Sequence, residues 1–386
     1  MRYLPVLLLI LLGVPGSALW AEETWRVMTG DFRVRMLELS RIDAQSVVGK
    51  VGDKVETVDL KNFVMASRNA RVEFLEGLVL CLAGGDRLVG QPVELNNTHL
   101  IWFVSGIGRV RVPVEQILGI LRNSSDDPRL LEDRNEDVMF LSNGDAVRGI
   151  VTAVTERTIT ITPTGADPIE MAVATIRDLL FATPPQGRAA HSATGYIVRL
   201  TNGVVISCRK VELKDNKAFI TVNDGSTSSV PIYLIVSIEY VSGPVEWLSM
   251  RQPAEITYFP YFDGNFPPRM DKTIAGEPIR INGQPVQRGI SMHSHTRMSF
   301  PIRAGDQKFR SRYWIDPSLG LADVDVRVYV DDKVVHENKG FKAGDLSPVI
   351  EIDVAGAKRL TLEVDFGQGY DIQDRIVWVE PALIRE

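Results

Sequence analysis

The chain has 386 residues, 45% of them hydrophobic and 24% charged, with 43 basic against 49 acidic side chains and a net charge of −6. That balance gives no electrostatic footprint for nucleic acid or an anionic membrane surface, so no nucleic-acid partner is expected. Two cysteines, Cys81 and Cys208, are too few for a disulfide framework or for a zinc site built on cysteine pairs.

In chain order, residues 1–21 read as a secretory signal peptide. Arg2 supplies a positive start, Leu4 to Leu12 is a nearly unbroken apolar run, and Gly13 to Ala21 is rich in small residues around Pro15. Cleavage is expected after Ala18 or Ala21, with an uncleaved anchor as the alternative. No later stretch approaches the roughly 18 to 20 apolar residues of a transmembrane helix. The expected localisation is therefore exported: periplasmic, extracellular or at the cell surface, with no transmembrane segment after cleavage.

The next part of the chain repeats itself. Leu82-Ala83-Gly84-Gly85-Asp86 returns as Leu141-Ser142-Asn143-Gly144-Asp145 and as Leu200-Thr201-Asn202-Gly203-Val204, each time after 59 residues. The register holds downstream, where Ile117 aligns with Ile176 and Ile235, and Ile120 with Leu179 and Ile238. Three β repeats are expected at 71–122, 137–182 and 195–243, and a diverged copy at 22–70, offset by 55 residues. Each copy reads as short strands around an Asn-Gly or Gly-Gly hairpin turn, which needs positive φ at its centre. Cys81 and Cys208 fall at different repeat positions, which favours two free, buried thiols and leaves their pairing open. Asp86 and Asp145 sit at turns, where setting the turn is their expected role.

A unit of four or five short strands that closes on itself resembles small SH3-like or Sm-like barrels, because closure removes exposed sheet edges. Propeller blades are the alternative, although four unevenly spaced copies fit separate or paired barrels better. The polar stretch Asn123 to Glu136, with Pro128, and Thr183 to Thr194, with Pro184-Pro185, read as inter-domain connections.

From Val245 the period stops and longer alternating runs begin: an aromatic segment from Ile256 to Phe262, then Gly289 to His295, Arg297 to Ile302, Phe309 to Ile315, Val324 to Val330, Val349 to Val354 and Arg359 to Val364. Alternation and spacing predict an antiparallel β-sandwich. The fold class is thus all-β: tandem small barrel-like repeats followed by a C-terminal jelly-roll sandwich.

The ordered residues Trp247-Leu248-Ser249, Ile281-Asn282-Gly283-Gln284, Arg288-Gly289-Ile290-Ser291-Met292-His293-Ser294, Val328-Tyr329-Val330-Asp331, Leu360-Thr361-Leu362-Glu363-Val364 and Trp378-Val379-Glu380-Pro381-Ala382-Leu383 resemble the NPCBM domain, a carbohydrate-binding module family. The resemblance covers 245–386 and implies a jelly-roll sandwich that binds sugar. Two positions depart from the family: Asp374-Arg375 stands where members show Asp-His, and Ile315-Asp316-Pro317 where they show an acidic pair. These departures bear on sugar specificity and on any calcium site.

Sugar recognition needs an aromatic face for the C–H side of the ring and planar polar groups for adjacent hydroxyls. Trp378, Tyr370 and Tyr258 are candidates for the first; His293, His295, Asp371, Asp374 and Arg375 for the second. The competing reading of Trp378 is a core residue within the apolar run Ile376 to Val379. For His293 it is a structural hydrogen bond, and for His295 and Arg375 ordinary solvation. The acidic, glycine-containing loop Asp365 to Asp371 can offer oxygen ligands to calcium, or be plain turn; no other cofactor is expected. Gly-x-Ser-x-Gly, His-Glu-x-x-His, phosphate-loop and dinucleotide patterns are all missing from the sequence. The expected function is a secreted, non-catalytic carbohydrate-binding protein, with the repeats as spacer or docking platform. The alternative is a structural, protein-binding component of the cell envelope whose sandwich has lost its sugar.

Overall fold

The structure, a computed structural model, describes residues 24–385 apart from 71, 73–76, 97, 124–126, 186–194, 262–263 and 345. The leader expected at 1–21 lies outside the described residues, as does most of the second connection. Among the described residues regular structure is strand, interrupted only by short 3-10 turns, so the chain is all-β. Alternation sets these strands: in Thr158–Thr162 the isoleucines at 159 and 161 are buried while the threonines are partly exposed.

The first unit comprises β1 (Thr24–Thr29), β2 (Val34–Ile42), β3 (Ser46–Val51), β4 (Lys54–Asp59) and β5 (Phe63–Ser67). The second comprises β6 (Leu78–Leu82), β7 (Arg87–Leu95), β8 (His99–Val104), β9 (Gly108–Pro113) and β10 (Ile117–Arg122). The third comprises β11 (Asp137–Leu141), β12 (Ala146–Val154), β13 (Thr158–Thr162), β14 (Ile169–Ala172) and β15 (Ile176–Leu180). The fourth comprises β16 (Tyr196–Leu200), β17 (Val205–Lys214), β18 (Lys217–Val222), β19 (Thr227–Pro231) and β20 (Ile235–Tyr240).

All four units share one antiparallel plan. The first strand pairs with the second and fifth, the second with the third, and the third with the fourth. The long second strand meets the first strand with its leading half and the third with its trailing half. A register shift falls within the second strand of each copy, at period-equivalent positions in the second and third (Pro92/Glu94 and Val151/Ala153), two residues earlier in the fourth (Cys208/Lys210), and at Leu39/Arg41 in the first. Such bulges add local twist and bend the strand. At the bend, Gly90 and Gly149 are period-equivalent, and a Cβ there would come within 1.8 Å of Phe103 O and 2.3 Å of Thr162 O. The repeat therefore carries its glycine where two backbones approach.

The units are not separate. They join in one 20-stranded sheet with a shared apolar core. Fifth strands pair across units in identical register: Gly119↔Leu180, Ile120↔Leu179 and Leu121↔Asp178 between β10 and β15, and Ser237↔Ser67, Ile238↔Ala66 and Glu239↔Met65 between β20 and β5. The chain thus forms two equivalent pairs, the second with the third and the fourth with the first. Second strands link the pairs at Val205↔Arg87, where Asp86 accepts from the Ser207 amide at 3.0 Å and its hydroxyl at 2.6 Å. Asp86 therefore does more than set its turn: it ties the second unit to the fourth. The stretch Asn123 to Glu136 is also more than a connection. Leu130 enters the shared core against Gly119, and Arg129 pairs with Asp178 at 3.0 Å. Cys81 and Cys208 are free and buried, and burial pushes the Cys208 thiol up.

The sandwich comprises β21 (Val245–Trp247), β22 (Glu255–Tyr258), β23 (Arg269–Met270), β24 (Arg280–Ile281), β25 (Gln284–Pro285), β26 (Gly289–His293), β27 (Thr296–Pro301), β28 (Asp306–Ile315), β29 (Asp323–Val330), β30 (Lys333–Lys342), β31 (Ile350–Asp353), β32 (Arg359–Phe366) and β33 (Arg375–Arg385). One sheet runs β23-β26-β33-β28-β31 with β21 on β33; the other runs β22-β27-β32-β29-β30. Their inner faces enclose a core that includes Met292, Phe300, Phe309, Tyr313, Leu362 and Trp378.

This sandwich is docked on the repeats. Val245, Trp247 and Ala382 pack with Met28, Val64 and Met65, the Phe32 ring meets Trp247 edge-on, and the Arg310 guanidinium lies 4.0 Å from the Phe32 centroid. Arg288 adds a fully buried ion pair to Glu239 at 2.7 Å, with Arg199 on the same carboxylate at 3.1 Å. Burial opposes the Glu239 charge, but the two guanidiniums outweigh it and hold its carboxyl below the usual range.

Candidate functional site

The end of the sandwich farthest from this interface is built by three segments. Strand β26 starts beside Arg288 and ends at His293, about 15 Å away at the rise of an extended strand. There the chain turns into β27 through Ser294 and His295. The segment after β22 and the loop from β32 to β33 flank that turn.

His293 is the centre of the first cluster and is almost wholly buried. Its Nδ1 donates to the Ser294 carbonyl at 2.8 Å, the Phe266 ring stacks on it at 4.7 Å, and Tyr258 meets it edge-on at 6.4 Å. Burial lowers its pKa, leaving it neutral at pH 7. The Tyr258 hydroxyl donates to Gly264 O at 3.1 Å and accepts from the Phe266 amide at 3.2 Å, which fixes the loop that carries Phe266. Arg375, in register with His293, lays its guanidinium 5.2 Å from the Phe266 centroid.

His295 belongs to a second, more open cluster. Its ring lies 6.2 Å from Phe259 and 5.9 Å from Phe366, while Tyr261 contacts Phe366 at 5.7 Å and Tyr370 at 4.9 Å. Phe259, Tyr261 and Tyr370 are 63%, 51% and 55% exposed, so three aromatic faces crowd one patch of surface. Burial of such rings is normally favourable, which makes an exposed group of three a candidate platform.

Behind the rim, Asp374 is buried. One oxygen accepts from the Ser294 hydroxyl at 2.7 Å and the other from the Asp323 amide at 3.1 Å. Burial pushes its carboxyl up to about 6. Gln373 accepts from the Leu321 amide, and Gly367 sits so close to Asp323 that a Cβ would come within 2.1 Å of its carbonyl oxygen. The loop that carries Tyr370 is thus held by its Gln373 and Asp374 side chains and by the close backbone approach at Gly367.

The structure brings the segments named in the sequence to one end of the sandwich but buries some of their side chains. His293, His295, Tyr370, Asp371, Asp374 and Arg375 all lie at this end. Trp378 must be corrected: it is 0% exposed, packed on Tyr313 at 5.5 Å, and offers no face to a ligand. His293, Asp371 and Asp374 are also buried and support the rim from beneath. Phe259, Tyr261, Phe266 and Phe366 were not among the candidates; the aromatic run from Tyr258 to Phe262 signals the first two, and nothing in the pattern signals Phe266 or Phe366. Asp365 accepts from Arg327 at 2.9 Å, and among the described residues no group of three His, Cys, Asp or Glu side chains is arranged to hold a metal. The calcium expectation for the Asp365 to Asp371 loop gains no support from this arrangement. Among the described residues no helix is long and apolar enough to cross a membrane.

Residues 249–384 match the family model of the NPCBM/NEW2 domain. Among solved structures, the second CBM51 with the INT domains of Clostridium perfringens ZmpB, in complex with GlcNAc, is 21% identical with a TM-score of 0.33. That similarity covers 46% of this chain and 37% of the other, so the chain spans little more than a third of that structure. The CBM51 of a Clostridium perfringens GH95, in complex with methyl-galactose, is 19% identical over 36% of this chain and 99% of its own, with a TM-score of 0.31. The tandem CBM51 modules of the family 98 glycoside hydrolase from Streptococcus pneumoniae are 14% identical over 94% and 88%, with a TM-score of 0.33. No curated protein matches the chain.

Proposed function

We propose that this chain is an exported, non-catalytic glycan-binding protein whose sugar site is the aromatic rim of the C-terminal sandwich. The observation that carries this reading is the exposed trio Phe259, Tyr261 and Tyr370, the last on a loop braced by Gln373 and Asp374. Exposed rings suit the apolar face of a pyranose, while His295 beside Phe259, and Arg375 at the same end of the sandwich, suit its hydroxyls. The match of 249–384 to a carbohydrate-binding module family supports the same reading. The four repeat units, read as SH3-like barrels, form with the sandwich a rigid platform that turns the rim outward. A glycan array probed with the full chain and with Tyr370→Ala tests it. Binding that the substitution reduces about fivefold or more is expected, taking about 1–3 kcal/mol for one stacked ring, as for bases on aromatic side chains. Failure of the folded chain to bind any sugar would sink the reading.

A second reading, a protein-binding component of the cell envelope, is favoured by one feature. Met36 and Val55 are 54% and 59% exposed on the outer side of the first unit, next to Val51. Crosslinking in native envelopes distinguishes the two, because a protein partner retained without glycan supports this second reading.

A further inference from the structure

Three arginines of the sandwich are matched to acids. Arg251 meets Glu246 and Asp306, Arg288 meets Glu239 and Asp271, and Arg327 meets Asp325, Glu337, Glu363 and Asp365. Arg375 is different. Its Nε is buried without a hydrogen-bond partner, and among the described residues its guanidinium makes no ion pair. Its neighbour Asp374 turns its two oxygens to the Ser294 hydroxyl and the Asp323 amide and makes no ion pair with it. Its guanidinium lies 5.2 Å from the centroid of Phe266, which is itself stacked on His293, a cation–π contact that holds the group at the rim. A guanidinium fork that lies against Phe266 and makes no ion pair among the described residues, at the same end of the sandwich as the exposed aromatic rings and in a chain of net charge −6, suits an anionic group.

We propose that Arg375 makes this rim selective for acidic glycans, with an oxyanion of the sugar, carboxylate or sulfate, taking the guanidinium while the ring lies on the exposed aromatics. The inference rests on the glycan reading above and adds the chemical class of the sugar. A lysine would supply charge without the fork, and a histidine in its neutral form would supply neither.

Titration calorimetry on the full chain tests this with matched sugars: galactose and methyl glucoside as neutral members, methyl glucuronide and N-acetylneuraminic acid as carboxylates, and galactose 6-sulfate as the sulfate. At least one acidic class is expected to bind about tenfold or more tighter than its neutral parent, with the preference shrinking as salt rises. The class that shows the preference identifies the oxyanion. Arg375→Gln is expected to abolish the preference and leave weak neutral binding, and Arg375→Lys to keep part of it. Equal binding of acidic and neutral sugars by the unmodified chain overturns the inference and leaves the glycan reading standing. So does a preference that survives Arg375→Gln. Binding of neither class overturns both.

Discussion

Glu239 and Arg288 form an ion pair at 2.7 Å, both fully buried, that joins the last repeat unit to the sandwich. Period-equivalent positions show how it arose. Where the fourth unit has Arg199 and Glu239, the second has Cys81 and Leu121 and the third has Phe140 and Leu180. The two charges are departures from an apolar pattern, placed where the sandwich covers the sheet.

Removing one member of that cluster leaves the others charged in a dry interface. Glu239→Leu, the residue of the second and third copies, is expected to cost about 3–5 kcal/mol in chemical denaturation. The triple change Arg199→Phe, Glu239→Leu and Arg288→Met should recover most of that loss, since a buried charge network is often replaceable by packed apolar groups. Because the folded Glu239 carboxyl lies below its ordinary value near 4.5, its contribution is complete above that pH and is lost as pH falls through the lower, folded value. A triple variant less stable than the single one would contradict this account.

The equivalent surface on the other pair of units is covered by the chain itself. Leu121 and Asp178 lie where Glu239 and Met65 lie, and the segment around Arg129 and Leu130 takes the place of the sandwich. Leu130 is 2% exposed and its neighbour Leu131 is 78% exposed. Leu130→Ala is expected to lower unfolding stability by about 2–5 kcal/mol and Leu131→Ala by less than about 0.5 kcal/mol. Equal effects would mean that the segment is a tether and not a cover.

What the sequence made legible, and what it hid, follows from range. The period of 59 and the hairpin glycines are local signals, and the strands they announce are present in the fold. That the second and third units pair through β10 and β15, and the fourth with the first through β20 and β5, depends on contacts as far apart as Met65 and Glu239. β30, Lys333–Lys342, escaped notice because an edge strand is mostly exposed and carries no clean alternation. At the rim, His293 was visible as a residue, but its burial beneath Phe266 depends on how the loop after β22 folds back. Trp378 shows the same limit in reverse. Its burial follows from lying in register with Ile290 and Tyr313 on the inner face of β33.

That register separates two aromatic substitutions that a sequence alone treats alike. Trp378→Ala removes a fully buried ring from the sandwich core and is expected to cost about 3–5 kcal/mol, read as a lower unfolding midpoint. Tyr370→Ala removes a half-exposed ring from the rim and should leave that midpoint nearly unchanged while weakening glycan binding. If Trp378→Ala proved fully stable and Tyr370→Ala unfolded the domain, the assignment of core and rim would be reversed.

Asp374 supplies a pH signature for the same rim. Burial raises its carboxyl from the ordinary 3.8 to about 6 in the folded chain. The folded state therefore holds a proton that the unfolded state has released, so this group adds stability as pH falls from above 6 toward 4 and subtracts it on the alkaline side. His293 works in the opposite direction, since burial lowers its pKa and protonation of the unfolded chain below pH 6.5 is destabilising. The two are separated by Asp374→Asn, which keeps a neutral group of similar shape between Ser294 and the Asp323 amide. Denaturant midpoints at pH 7.5 and 5.5 should differ less favourably toward pH 5.5 in the variant than in the unmodified chain. An identical pH dependence in both would show that Asp374 is ionised throughout, and that the Ser294 and Asp323 hydrogen bonds outweigh the cost of burying its charge.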